Sequence, residues 1–591
     1  MSIFRITKKF LVILDKKQKR MIIIIAAMML FGGILESVSI SLVLPLITAV
    51  MDTEGWNTKW YARIICDLFS ITSQRTYIEC VLIILIIVFI LKNLYLLFEY
   101  YVQNAFIADS RFNMQSMLMR SYTHKPYSFF IEASSGEILR IITQDTNQTF
   151  LLLNNILRIY TELIVSVVLG VTVFVMSPSI AVWMFLILLI ELLIITLVIK
   201  PVMKRMGERN RVENAAANKW IIQTINGIKS VKVSKKERFF ESEYEKHARK
   251  QVDIERINGT LDSLPRLMIE AFTVAGVLLV ILIFVLSGTE LADILPQLSA
   301  FVVAAIRLLP SSNRISSSMN MSAFLEGALD NILMVITQKG GNEKEKIKTN
   351  SDSGIVSGKE IPFEHNVVLD DVTFSYGENL PNVLEHADMD IQKGLSVGIV
   401  GSSGAGKSTS VDLILGLLYP QSGKVLVDGM DIQTNMGKWL EHVAYIPQQI
   451  FLIDDSIRAN VAFGIPTEKI DDDDVWEALR EAQMDEFVKS LHKGLDTQIG
   501  EQGVRLSGGQ RQRIGIARAL YSNAEILFFD EATSALDNAT EAAIMESIDS
   551  LKGKRTTVII AHRLTTIMNC DVVYRVENGQ IKKVDKTMLG V

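Results

Sequence analysis

"GSSGAGKST", residues 401–409, decides the fold. It satisfies G-x-x-x-x-G-K-[ST], the pattern of a phosphate-cradling loop. It also sits where that pattern has mechanical meaning, between the strand-like "SVGIV" (396–400) and the helix-like "SVDLILGLL" (410–418). Glycines let backbone N–H groups approach phosphate oxygens, and a helix N-terminus adds a favourable potential. Gly401, Ser402, Ser403, Gly404, Ala405 and Gly406 form the predicted cradle. Lys407 reaches the β- and γ-phosphates, and Ser408, with Thr409 beside it, holds Mg²⁺. ATP and Mg²⁺ are therefore the expected cofactors.

A second motif, "EILFFDEATSALD" (525–537), reads as a buried apolar strand ending in two acids. Asp530 is placed to hold the water shell of Mg²⁺, and Glu531 to polarise an attacking water. Just before it lies "LSGGQRQRIGIARAL" (506–520). Together with the phosphate loop these motifs resemble ATP-binding cassette proteins over about residues 365–580. The resemblance implies further roles. Tyr376 in "VTFSYG" stacks on adenine, and Gln448 in "YIPQQ" senses Mg²⁺ and contacts the membrane domain. Asp537 closes the D-loop after the acids, and His562 in "IIAHR" contacts the γ-phosphate. Glu531, His562 and Gln448 are thus the expected catalytic set. The family architecture also implies a homodimer, in which each nucleotide faces Ser507, Gly508, Gly509 and Gln510 of the other subunit. One departure is Gln502, which stands where such exporters usually carry arginine.

The composition outside the cassette is that of a membrane protein. Of 591 residues, 49 % are hydrophobic, and the mean hydropathy is +0.29. The net charge of −5 offers no basic field for nucleic acid. Three cysteines (Cys66, Cys80, Cys570) make neither a disulfide framework nor a metal site. Apolar runs predict six spans, at about 21–49, 78–103, 151–176, 179–203, 265–287 and 291–325. Basic residues crowd 8–20, 111–140 and 200–256, which places those segments and both termini in the cytoplasm. The domain reading follows. Residues 1–20 form an amphipathic surface helix, 21–335 a six-span membrane domain with cytoplasmic coupling segments near 128–137 and 229–241, 336–362 a polar linker, and 363–591 the cassette. The fold class is multi-domain: an all-α exporter-type membrane domain followed by an α/β P-loop domain.

Charges at bilayer depth are costly and mark pathways. Arg158 with Glu162, and Arg266 with Glu270, are spaced as i,i+4 pairs. Lys92 and Arg307 have no acid at i±3 or i±4. Either such cations pair across helices or snorkel, or they meet an anionic cargo with a phosphate or diphosphate head and a lipid tail. "SISLVLPLIT", "LPRLMIEA" and "AAIRLLPSSNRI" resemble the flippases for lipid-linked oligosaccharides of bacterial protein N-glycosylation. That resemblance implies Lys92, Arg266 and Arg307 as a basic cavity for a polyprenyl-diphosphate glycan in the bacterial cytoplasmic (inner) membrane. The alternatives are a multidrug or lipid A exporter of the same fold and an ATP-gated channel or regulator.

Overall fold

The computed structural model describes residues 2–42, 46, 49–50, 60–69, 71, 73–176, 182, 189–190, 193–286, 291–338, 360–377, 379–530, 545–546, 548–561 and 567–585. Two compact units emerge, Met1–Lys125 with Glu132–Lys348, and Pro126–Ile131 with Thr349–Val591.

The first unit is helical. Its N-terminal helix, Ser2–Ile13, buries Ile6 and Phe10, with Leu14 just beyond, one per turn on a single face, and leaves Phe4 and Val12 exposed. Lys9 forms ion pairs with Glu326 and Asp330 of the Leu291–Gln338 helix. A reciprocal cap separates this helix from the next. The Asp15 carboxylate accepts from the Gln18 N–H at 2.6 Å, while the Gln18 side chain accepts from the Asp15 N–H at 3.0 Å. That pairing satisfies the first orphan donors of the Lys16–Ser41 helix. The first span's helix thus begins inside the basic segment, ahead of the apolar run.

The Gln74–Thr123 helix has 50 residues, a length of about 75 Å at 1.5 Å per residue. That far exceeds the roughly 30 Å hydrocarbon core, so the helix continues well past the apolar run at 78–103. Its outer face carries exposed Ile83, Ile86, Ile90 and Leu94, whereas its buried face includes Lys92, Glu99 and Gln103. Apolar side chains face outward to lipid and polar ones inward, the inverse of a water-soluble helix. Among the described residues Lys16–Glu36, Gln74–Thr123 and Ser135–Val168 are long and apolar enough to cross a membrane. Of the span read at 179–203, residues 193–203 are described, and most of 179–192 lies outside the described residues. The last two predicted spans lie in the Glu237–Leu286 and Leu291–Gln338 helices.

A π-helical turn, Ile141–Asp145, precedes the Thr146–Met176 helix. The Thr146 hydroxyl donates to Ile141 O at 2.9 Å, and the widened turn directs buried Asp145 toward Asn331, whose amide donates to it at 3.0 Å. Such turns insert one residue and re-aim the side chains beyond them. Cys66, Cys80 and Cys570 are free thiols.

The second unit holds ten described strands: β1 (Asn366–Phe374), β2 (Leu384–Gln392), β3 (Ser396–Val400), β4 (Ser422–Val427), β5 (Met430–Asp431), β6 (Val443–Ile446), β7 (Ile526–Asp530), β8 (Thr556–Ile560), β9 (Val572–Glu577) and β10 (Gln580–Val584). An antiparallel sheet runs β2-β1-β4-β5, and a larger sheet runs β10-β9-β3-β8-β7-β6. In the larger sheet only β10 is antiparallel to its neighbour. Parallel strands buried on both faces read as continuous apolar runs. Accordingly, Ile526 and Phe528 of β7 enter the core shared with β1–β4, while Leu527 and Phe529 enter the core built around residues 457–524. Trp439, fully buried, donates its indole N–H to Ile414 O at 2.8 Å and ties the helix after the phosphate loop to the core.

The segment entering the cassette is held by polar contacts. Asp428 accepts N–H bonds from Glu364, His365 and Asn366, the latter two at 2.9 and 2.8 Å. Lys393 donates to Phe363 O, and His442 Nε2 bonds Ile361 O at 3.1 Å. Burial alone would raise the Asp428 carboxyl, but the backbone donors bring it below the usual carboxylate range. A depressed carboxyl stabilises the fold above the ordinary value near 4 and loses that contribution as pH falls through the folded value. Asp428→Asn is expected to accelerate amide hydrogen exchange at 364–366 by about tenfold at pH 7. The gap to wild type should close as pH approaches about 3. A gap that stays constant with pH would show that the carboxylate charge is not what holds this segment.

Candidate functional site

Ligands of open parallel sheets lie at the carboxyl ends of the strands. Here β3 leads directly into the phosphate loop, β7 ends in Asp530, and β8, lying between them, ends two residues before position 562. Register fixes the convergence, since Ile399 pairs with Ile560 and Ile560 with Asp530.

Gly404 adopts φ +79° with no heavy atom within 4 Å of an added Cβ, so the loop turns with its concave side clear. Gly406 caps the Lys407–Ile414 helix at φ +105°, where a side chain would crowd Val383 and Leu384 at 3.1–3.2 Å. Lys407 is buried, and its ammonium donates to Gly401 O and Ser402 O at 2.9 Å each. The Ser408 hydroxyl lies 3.4 Å from Asp530 Oδ1. Tyr376, 43 % exposed, packs edge-on against Phe374 and shares a 3.0 Å hydrogen bond with the Thr409 hydroxyl. This leaves an aromatic surface beside the loop, fit to stack on a base.

Two residues escaped the sequence reading. Tyr445 on β6 donates its hydroxyl to Asp530 Oδ2 at 3.1 Å. Asp412 has its carboxyl pushed up to about 6 by burial and by the negative charge of Asp530. Its spacing from Ser408 is i,i+4, which places both on one helix face; that spacing was the available signal. Two acids and a hydroxyl gathered in this way are hard oxygen donors whose mutual repulsion a divalent cation relieves, so the residues fit Mg²⁺. Gln448 lies two residues beyond β6, exposed, at the same sheet end.

"LSGGQ" folds as a reciprocal cap. Ser507 Oγ accepts the Gln510 N–H at 3.2 Å, and Gln510 Oε1 accepts the Ser507 N–H at 2.8 Å. Gly508 and Gly509 open the 14-residue helix Gly508–Tyr521. No hydrogen bond among the described residues joins 507–510 to the phosphate loop. Gln502, at the departure noted above, adopts a left-handed φ of 51°. Glu531, Asp537 and His562 lie outside the described residues.

In the membrane unit the structure changes the charge pairing. Glu162 is held not by Arg158 but by Arg314, through Nε to Oε1 and through Nη2 to Oε2 at 2.9 Å. Sequence spacing favoured the neighbour on the same helix, whereas the fold supplies a bidentate partner from another. Lys92, 7 % exposed, sets its ammonium 4.7 Å over the Phe89 ring. Arg266 is exposed, and the side chain of Arg307 lies outside the described residues. A polar cavity of about 450 Å³ opens among the Lys16–Ser41, Gln74–Thr123, Thr146–Met176 and Leu291–Gln338 helices. Glu36, Glu99, Gln103, Arg158, Glu162 and Arg314 supply its main polar groups, and neither Lys92 nor Arg266 lines it.

Residues 384–534 match the family model described as ABC transporter, and residues 22–293 match ABC transporter transmembrane region. The heterocyst differentiation ATP-binding protein HepA of Nostoc is 31 % identical over 464 residues, covering 77 % of this chain and 72 % of that one. An ATP-dependent lipid A-core flippase of Saccharophagus degradans is 47 % identical over 216 residues, 36 % of each chain. One of the same name from Francisella novicida is 42 % identical over 217 residues, again 36 % of each. These flippases are therefore matched over about a third of their length. A bacterial Atm1-family ABC exporter with ATP bound superposes with a TM-score of 0.74 at 21 % identity, covering 97 % of this chain and 96 % of that one. That likeness establishes the exporter fold: a helical membrane domain followed by an α/β nucleotide-binding domain.

Tyr445→Phe removes one donor to Asp530 and keeps the ring. It should raise the Mg²⁺ concentration needed for half-maximal nucleotide retention by about tenfold, the usual size of a hydrogen bond to a charged group. Nucleotide affinity measured in EDTA should not change. Titration of the full-length protein with Mg²⁺ at fixed nucleotide checks this, and an unchanged midpoint would remove Tyr445 from the site.

Proposed function

Since the chain belongs to the ABC transporter family, we propose that it works as a homodimeric, ATP-driven flippase of a glycolipid with an anionic head. The observation that carries the energy-coupling part is the meeting of the phosphate loop with Asp530, Ser408 Oγ to Oδ1 at 3.4 Å, at adjacent strand ends. The cargo part is supported by the polar cavity within lipid-facing helices and by the names of the matched flippases. Those names favour a lipid A-core type of head over the polyprenyl-diphosphate oligosaccharide suggested by "AAIRLLPSSNRI". The second reading keeps one supporting observation, the buried Lys92. The membrane is the bacterial cytoplasmic one, with the cassette and both termini on its inner side.

In this reading Tyr376 stacks on adenine, and the loop from Gly401 to Thr409 surrounds the phosphates. Lys407 exchanges its carbonyl partners for β- and γ-phosphate oxygens. Ser408, Asp530 and Gln448 would hold Mg²⁺, which when bound neutralises charge across the β- and γ-phosphates. Glu531 orients the attacking water, and His562 contacts the γ-phosphate. Ser507, Gly508, Gly509 and Gln510 of the second copy present their helix N-terminus to the same phosphate, with Asp537 beside the shared interface. Closing the two cassettes drives the membrane helices to expose the cavity to the other side. Hydrolysis then resets the pair.

The test uses the purified full chain in liposomes carrying fluorescent lipid A or fluorescent polyprenyl-diphosphate glycan. ATP should move one of them across the bilayer, and Glu531→Gln should abolish both movement and turnover while retaining nucleotide. Movement of neither lipid alongside rapid ATP hydrolysis would sink the glycolipid reading and favour a multidrug exporter.

A further inference from the structure

Among the described residues, one buried oxygen of those lining the membrane cavity has no hydrogen-bond partner. Glu99 is 1 % exposed, on the inward face of the Gln74–Thr123 helix. Its Oε1 accepts from Gln103 Nε2 at 2.9 Å, and its Oε2 has no hydrogen-bond partner among the described residues. Burying a carboxylate oxygen without a donor is costly, and unsatisfied buried groups in native folds signal an occupant or a role. An acid within a membrane span points the same way.

The surroundings are shaped around that oxygen. Gly32 lies against it across the helix contact, and a Cβ there would come within 2.5 Å of Oε2. Both residues line the cavity, and a side chain at position 32 would fill the space beside the carboxylate oxygen. The neighbouring arginines do not bond Glu99 in this structure. Arg314 is committed to Glu162, and no hydrogen bond among the described residues joins Arg158 to Glu99. What is missing is a hydrogen-bond donor, and about 450 Å³ is room for a sugar-sized group.

We propose that Glu99 is the receptor for a hydroxyl or ammonium donor on the sugar head of the lipid cargo, with Gly32 placing no side chain beside the carboxylate. This deepens the glycolipid reading and rests on it. Recognition then has a polarity: acid in the protein, donor on the sugar.

The experiment measures binding of fluorescent lipids to the full-length protein in detergent micelles, without ATP. Three lipids share acyl chains and phosphate and differ only in the sugar, which is amino, hydroxyl-only or fully methylated. Wild type should bind the methylated lipid about tenfold more weakly than at least one donor-bearing lipid, the loss of a hydrogen bond to a charged group. Glu99→Gln and Gly32→Ala should erase that preference. Loss confined to the amino sugar identifies an ammonium, and loss for both donor lipids identifies a hydroxyl. Wild type that binds all three lipids equally overturns the proposal while leaving the glycolipid reading intact, and this comparison needs no variant to fold. Wild type that binds none of the three overturns that reading, and the proposal with it.

Discussion

The parallel pairing of β3, β8 and β7 is the constraint on which the cassette depends. Its register brings three strand ends together, so that a loop after β3 and an acid ending β7 become neighbours although they lie more than 120 positions apart in the chain. The two apolar cores exist to hold that register. With Ile526 and Phe528 on one side and Leu527 and Phe529 on the other, a slip by one residue would exchange the cores and move Asp530 away from Ser408. The polar contacts at 361–366 and the buried Trp439 then fix the sheet's edges and the helix that follows the loop.

The membrane unit obeys the same requirement in a different solvent. Lipid provides no hydrogen bonds, so polar side chains turn inward and find partners on other helices. Glu162 with Arg314 is such a cross-helix contact, and Asp145 with Asn331 adds another beyond the spans; each joins an early segment to the Leu291–Gln338 helix. The N-terminal helix adds another tie to that last helix through Lys9.

The phosphate loop and the acidic strand were legible in the sequence because their chemistry depends on local spacing, which sequence preserves. "LSGGQ" was legible through its resemblance to the family's motif, and the structure adds that its serine and glutamine, three apart, form a helix cap. Tyr445 and Asp412 were hidden because their roles depend on strand order and on which helix face meets β7. Arg314 was hidden because its partner is 152 positions away, and the nearer Arg158 offered a plausible local pair. The π turn at 141–145 has no compositional mark, so the re-aiming of Asp145 could be read only from coordinates.

The Ser507–Gln510 cap has a consequence for association. Its two reciprocal bonds order the start of the Gly508–Tyr521 helix within a single chain, before the second copy of the proposed dimer arrives. The surface offered to a partner is therefore preorganised, and little conformational entropy remains to be lost on docking. In the proposed dimer, closure then becomes an encounter of finished surfaces, whose lifetime is set by what lies between them rather than by how long either takes to fold.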